Sequence, residues 1–112
     1  MRRTQHRIPS TVRVLVLLRA QGRCEYGGEP FWEPAILHHR QQRSLMGRDT
    51  PQNLVAVCWR HHAQIHDTND YSRGWLLRSW QDPLEEFVHL YDKIVRLCAD
   101  GTVSPQPPPS DR

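Results

Sequence analysis

Lysine is almost missing from this chain: of fifteen cationic residues only Lys93 is a lysine, and the rest are arginine. Cysteine is scarce and odd in number, with Cys24, Cys58 and Cys98 far apart. Three such cysteines argue against a disulfide framework and suit a reducing compartment, so a cytoplasmic location is expected. No apolar run approaches the roughly eighteen residues of a membrane-spanning helix. The start, MRRTQHRIPSTVR, is basic, but no small-residue cleavage site follows, and no secretory signal is read from it. Apolar content is modest too. With 38% hydrophobic residues in 112, the chain can fold as one domain but builds only a small core, the kind that metal or a partner often staples.

What is present is arginine and histidine. Residues 1–60 carry ten arginines against four acids, and residues 61–112 carry five cations against eight acids. An arginine-rich half suits phosphate, because the guanidinium fork grips phosphate oxygens bidentately. Of seven histidines, five (His38, His39, His61, His62 and His66) fall within 29 residues.

Ser10 or Thr11 can cap a helix through Val12, Leu15, Val16 and Leu18 to about Gln21, with Gly22 at the left-handed position after it. Residues 23–34 are turn-rich. Ala35 to His39 reads as a short strand, residues 40–50 as a polar loop, Leu54 to Val57 as an apolar segment, and residues 59–67 as a helix. The C-terminal third is ambiguous. Leu84, Phe87, Val88, Tyr91, Ile94 and Val95 follow helical spacing after Asp82-Pro83, whereas Val88, Leu90, Ile94 and Leu97 around Asp92-Lys93 suit a hairpin. The expected organisation is a flexible basic N-terminus (1–9), one domain (10–100) and a proline-rich disordered tail (101–112).

His62 and His66 are four apart, so a helix puts them on one face. A strand bearing His38-His39 and that helix can bring three imidazoles to one ion. Three protein ligands with open positions describe a catalytic metal site, not a closed structural one. The fourth histidine is then free to act as a base near neutral pH. Successive strand residues point to opposite faces, so His38 and His39 serve one site only where the strand ends or twists.

Taken together, L-H-H-R (37–40), D-T-P-Q-N-L-V-A-V-C (49–58) and H-H-A-Q-I-H (61–66) resemble an HNH endonuclease. The downstream R-G-W-L-L (73–77) and Asp82-Pro83 are similar to the small HNH proteins of actinobacterial phages. The resemblance implies an α+β fold: a ββα-metal core with an N-terminal helix and short C-terminal strands, here near 75–78, 87–91 and 94–98. β-branched Val88, Ile94 and Val95 side with those strands against the helix.

Residue by residue, the resemblance makes His39 the general base and Asn53 the residue that ties the loop and orients it. His38, His62 and His66 become metal ligands. Arg40, Arg43 and Arg60 are candidates for phosphate contacts. One catalytic divalent ion is implied, Mg²⁺ or Mn²⁺ first, with Zn²⁺ or Ni²⁺ as alternatives. The implied activity is metal-dependent hydrolysis of DNA phosphodiester bonds, by nicking or double-strand cleavage. DNA is the implied partner, with a phage terminase beside it in DNA processing or packaging, in the host cytoplasm if the chain is phage-encoded. The alternative is a non-catalytic nucleic-acid-binding module on a degenerate HNH scaffold.

Many HNH proteins hold a structural zinc with two Cys-x-x-Cys pairs. Here Gly27 stands where the second cysteine of the Cys24 pair would be, and His61 where the second cysteine of the Cys58 pair would be. Cys24, Cys58 and His61 leave a site one ligand short of four. Either a distant residue such as Cys98 completes it, or the knuckle has lost its metal; loss is the reading adopted. Packing of Trp32, Trp59, Trp75 and Trp80 is then expected to hold the core.

Overall fold

The computed structural model describes residues 7–105. Among them the chain runs through α1 (Ser10–Ala20), β1 (Ile36–His39), a 3-10 turn (Arg43–Leu45), β2 (Leu54–Val57) and α2 (Trp59–Asp67), then β3 (Val88–Leu90), β4 (Lys93–Leu97) and β5 (Val103–Pro105). The fold is mixed α+β. β1 and β2 form an antiparallel pair, and β3, β4 and β5 form a second antiparallel sheet in that order.

α1 lies where the helix-spaced apolar residues place it, but its ends differ. Pro9 occupies the N-cap with no side-chain cap, and Ser10 is already helical. The left-handed turn begins at Gln21 (φ 55°), one residue before Gly22 (φ 77°).

The β1–β2 hairpin organises both layers of the core. Its register pairs Ile36 with Val57 and His39 with Leu54. Leu54 and Ala56 pack with Val16 and Ala20 of α1. Val55 and Val57 face the other way, into a cluster with Ile65 of α2, Trp75, Val88, Val95 and Leu97. All four β2 side chains are fully buried. A strand covered on both faces shows no alternation of polar and apolar residues, which is why 54–57 reads as one apolar run.

The C-terminal third is a sheet, not a helix. In β3 and β4, Val88, Leu90, Val95 and Leu97 alternate inward. The strand expected near 75–78 does not form; Leu77 makes only an isolated bridge to Gln41. Side chains take the backbone groups that a ladder would use. Arg40 donates to the carbonyls of Gly74, Glu86 and Phe87, and the Gln41 amide donates to those of Arg78 and Gln81. The sheet also runs past the expected domain end at residue 100, because β5 pairs Ser104 with Arg96. The rest of the expected tail (106–112) and residues 1–6 of the expected flexible N-terminus lie outside the described residues.

The expected role of the tryptophans needs correction. Trp75 is fully buried and bonds the His89 carbonyl through Nε1. Trp32, Trp59 and Trp80 are 88%, 60% and 77% exposed, so they hold no core.

Candidate active site

His38 is the third residue of strand β1, 2% exposed, with Nε2 2.7 Å from the Trp75 carbonyl oxygen. A carbonyl accepts only from N–H, so the proton is on Nε2 and Nδ1 is left to ligate. The rings of His38, His62 and His66 meet edge-on, with centroids 5.0–5.3 Å apart. Their ligating nitrogens all lie within 4.8 Å of one another. The helix supplies the i, i+4 pair and the hairpin brings the third imidazole under it. Burial first, and then the neighbouring imidazoles, push His38 down to about 4, although its bond to Trp75 opposes this. Burial followed by the charge of His66 lowers His62. His38 and His62 are thus held toward the neutral form, the state that ligates a metal ion. Three imidazole nitrogens converging on one point could hold a divalent metal ion.

His39 ends the strand and lines the same cleft as His38, His62, His66 and Arg43. The strand stops at this residue, which removes the objection that neighbouring strand residues face opposite ways. Its Nε2 lies 2.7 Å from Asp49 Oδ1. An ionised carboxylate accepts only, so Nε2 carries the proton and Nδ1 keeps the lone pair. Asp49 had no assigned role in the sequence reading. It stands in the polar loop ten residues on, where spacing carries no signal.

Asn53 is fully buried. Its side chain bonds the Gln41 backbone on both sides, accepting from N at 2.7 Å and donating to O at 2.9 Å, and also donates to the Arg48 carbonyl at 3.0 Å. It is thus a positioning residue that closes the 41–53 loop and fixes where β1 ends.

Of the three arginines, Arg40 is not a phosphate contact. Its side chain is fully buried, and its guanidinium donates to the carbonyls of Gln52, Gly74, Pro83, Glu86 and Phe87. Burial, and next the charge of Arg19, lowers its pKa to about 10. Arg43 is half-exposed at the histidine cleft, 3.5 Å from Asp49. Arg60 is exposed but lines a different cleft, with Glu29, Cys58 and Trp59.

The residual knuckle positions do meet. Cys24, Cys58 and His61 lie together with Glu29, all four donor atoms within 4.8 Å of one another. Cys98 is not among them, so the alternative in which Cys98 completes the site is set aside, and Glu29 was not foreseen.

No helix among the described residues is long and apolar enough to cross a membrane. Comparison with curated proteins and with solved structures gave no match. The stretch that carries the hairpin, α2 and both donor clusters, residues 23–68, matches the family model described as HNH endonuclease.

Proposed function

We propose that this protein is a metal-dependent DNA endonuclease that hydrolyses phosphodiester bonds at the cleft between β1 and α2. The observation that carries the reading is the pairing of two arrangements in one cleft: three convergent imidazoles, and a fourth histidine backed by a carboxylate. Binding alone needs no base beside a metal site. His38, His62 and His66 hold the ion. When bound, it supplies Lewis-acid stabilisation of the charge that builds on the phosphate oxygens.

The chain's own residues do the rest. Nδ1 of His39 takes a proton from water as the water oxygen bonds phosphorus and the 3′ oxygen departs in line. Asp49 holds the imidazole in the tautomer this needs and steadies it once protonated. Asn53 fixes the loop between them. Arg43 is the arginine placed to meet a phosphate in the cleft. An all-nitrogen donor set favours Zn²⁺, Ni²⁺ or Mn²⁺ over Mg²⁺, which prefers oxygen ligands. The sequence carries no recognition-helix pattern, so DNA affinity is electrostatic and salt-sensitive. Similarity to phage HNH proteins suggests a place in DNA processing beside a terminase.

The test is cleavage of supercoiled plasmid by purified protein with each divalent ion or with chelator, alongside His39→Ala. Metal-dependent nicking that the variant loses supports the reading. DNA binding without cleavage under every ion overturns it in favour of a binding module.

A further inference from the structure

α2 presents a second face, and it carries a second set of donors. His61 is next to His62 in sequence, so about 100° of helical rotation separates their directions. His61 points away from the histidine cleft, toward the turn at residues 24–29. That turn is closed by backbone bonds from Cys24 N to Glu29 O (2.8 Å) and from Gly28 N to Cys24 O (2.7 Å). Closure brings the Glu29 side chain back beside Cys24. Cys58 is the N-cap residue of α2, one turn before His61.

The contacts converge on one atom. His61 Nδ1 lies 3.0 Å from Glu29 Oε2, 3.3 Å from Cys58 Sγ and 3.4 Å from Cys24 Sγ. Cys58 Sγ is also 3.1 Å from Glu29 Oε2. A ring nitrogen has one proton or one lone pair, so hydrogen bonding satisfies only one of its three contacts. An ion at the centre satisfies all of them. Around zinc, tetrahedral S, N and O donors stand roughly 3.3–3.8 Å apart, and the observed separations are a few tenths shorter. The Cys58 N–H points at Cys24 Sγ, 3.4 Å away, a bond that favours a thiolate.

Gly27 explains why the fourth donor is a carboxylate. A Cβ at Gly27 would collide with the His61 ring and the Glu29 carboxylate. The place where a Cys-x-x-Cys turn would put its second side chain is filled by these two groups. The glycine is the complement of the substitution, not the loss of a ligand.

We propose that Cys24, Glu29, Cys58 and His61 form a closed, four-coordinate zinc site, structural in role and separate from the histidine centre. Zinc binding releases the two thiol protons to solvent. Two thiolates and a carboxylate then exceed the ion's charge by one. Arg60, with Nη2 4.0 Å from Glu29 Oε2, and the positive end of α2 offset that excess. The site pins the 24–29 turn to the β2–α2 junction and so fixes the helix that carries His62 and His66. It does not depend on the nuclease reading.

The experiment is titration of chelator-treated, reduced protein with Co²⁺ alone, followed by absorption spectroscopy. The histidine centre has no sulfur, so thiolate-to-cobalt charge transfer reports only this site. The expected result is a charge-transfer band with the intense ligand-field bands of tetrahedral cobalt, saturating at one ion per chain and bleached by one equivalent of Zn²⁺. His66→Ala should leave these bands in place. Glu29→Gln should weaken the charge-transfer titration at least tenfold. A wild-type spectrum without thiolate bands overturns the proposal, with no variant needed. Unchanged Co²⁺ affinity in Glu29→Gln overturns the carboxylate as the fourth ligand. Plasmid cleavage is read separately, so either proposal can fail alone.

Discussion

Asp49 Oδ1 accepts a 2.7 Å hydrogen bond from Nε2 of His39, ten residues earlier in the chain. The same oxygen is 3.5 Å from Nη2 of Arg43. A carboxylate fixes the tautomer because it can only accept; an amide in its place can donate. Asp49→Asn therefore permits the flipped tautomer, in which Nδ1 carries the proton and is no base. The expected loss in single-turnover cleavage is about 10²–10⁴-fold, with the ion still bound. Plasmid nicking measured beside metal content checks this. Equal loss of metal and rate would instead make Asp49 a support for the metal site.

His66 is the exposed member of the imidazole cluster, and that separates ligation from stability. Removing an exposed side chain ordinarily changes folding stability by no more than about 0.5 kcal/mol. Removing one of three ligands takes away a third of the donors of an open site. His66→Ala should lose metal-dependent cleavage while keeping the thermal unfolding midpoint of the metal-free protein. Calorimetric Mn²⁺ or Zn²⁺ titration would show at least a hundredfold weaker binding at the histidine centre. A cleaving variant with unchanged affinity would remove His66 from the ligand set.

His38 links the site to pH. In the folded protein burial holds it at about 4, whereas the unfolded imidazole titrates near ~6.5. Between those values the unfolded state binds more protons, so stability is full above pH ~6.5 and falls as pH drops toward 4. The contribution is on the order of 3 kcal/mol. Metal affinity has the same sign, since protonated imidazole does not ligate. Thermal unfolding of chelated protein from pH 7 to 4, compared with His38→Gln, isolates the effect. Parallel pH curves for the two proteins would contradict it.

These consequences show where the sequence was legible. Local spacing carries β2, α2 and the His62–His66 pair, because their signals are apolar runs and an i, i+4 repeat. It also carries the capacity of the C-terminal third for strands, although helical spacing competes there. Asp49, Glu29 and the clamp by Arg40 and Gln41 are long-range relations between loops. Nothing in their neighbours marks them. Arg40 follows His39 in an arginine-rich half, so charge pointed to phosphate, while the chain folds around it. The Arg19–Glu25 pair is similar: bidentate at 2.9 Å, 4% exposed on each side, and bonded also to the backbone of Pro51, Leu54 and Ala56.

Arg40 and Arg43 lie three residues apart and should fail in different ways. Arg40 satisfies five backbone carbonyls from a fully buried position. Arg40→Met leaves them without a donor, and Arg40→Lys cannot span them from one ammonium. The expected cost is about 3–5 kcal/mol for Met, read as a lower midpoint in urea. DNA affinity of the remaining folded protein should hold. Arg43→Ala should do the reverse: folding within about 0.5 kcal/mol of wild type, weaker DNA binding, and a log–log salt slope shallower by about one unit. Fluorescence anisotropy with labelled duplex across a salt series measures that slope. A slope lowered by Arg40→Met and not by Arg43→Ala would reverse the assignment and place Arg40 at the DNA.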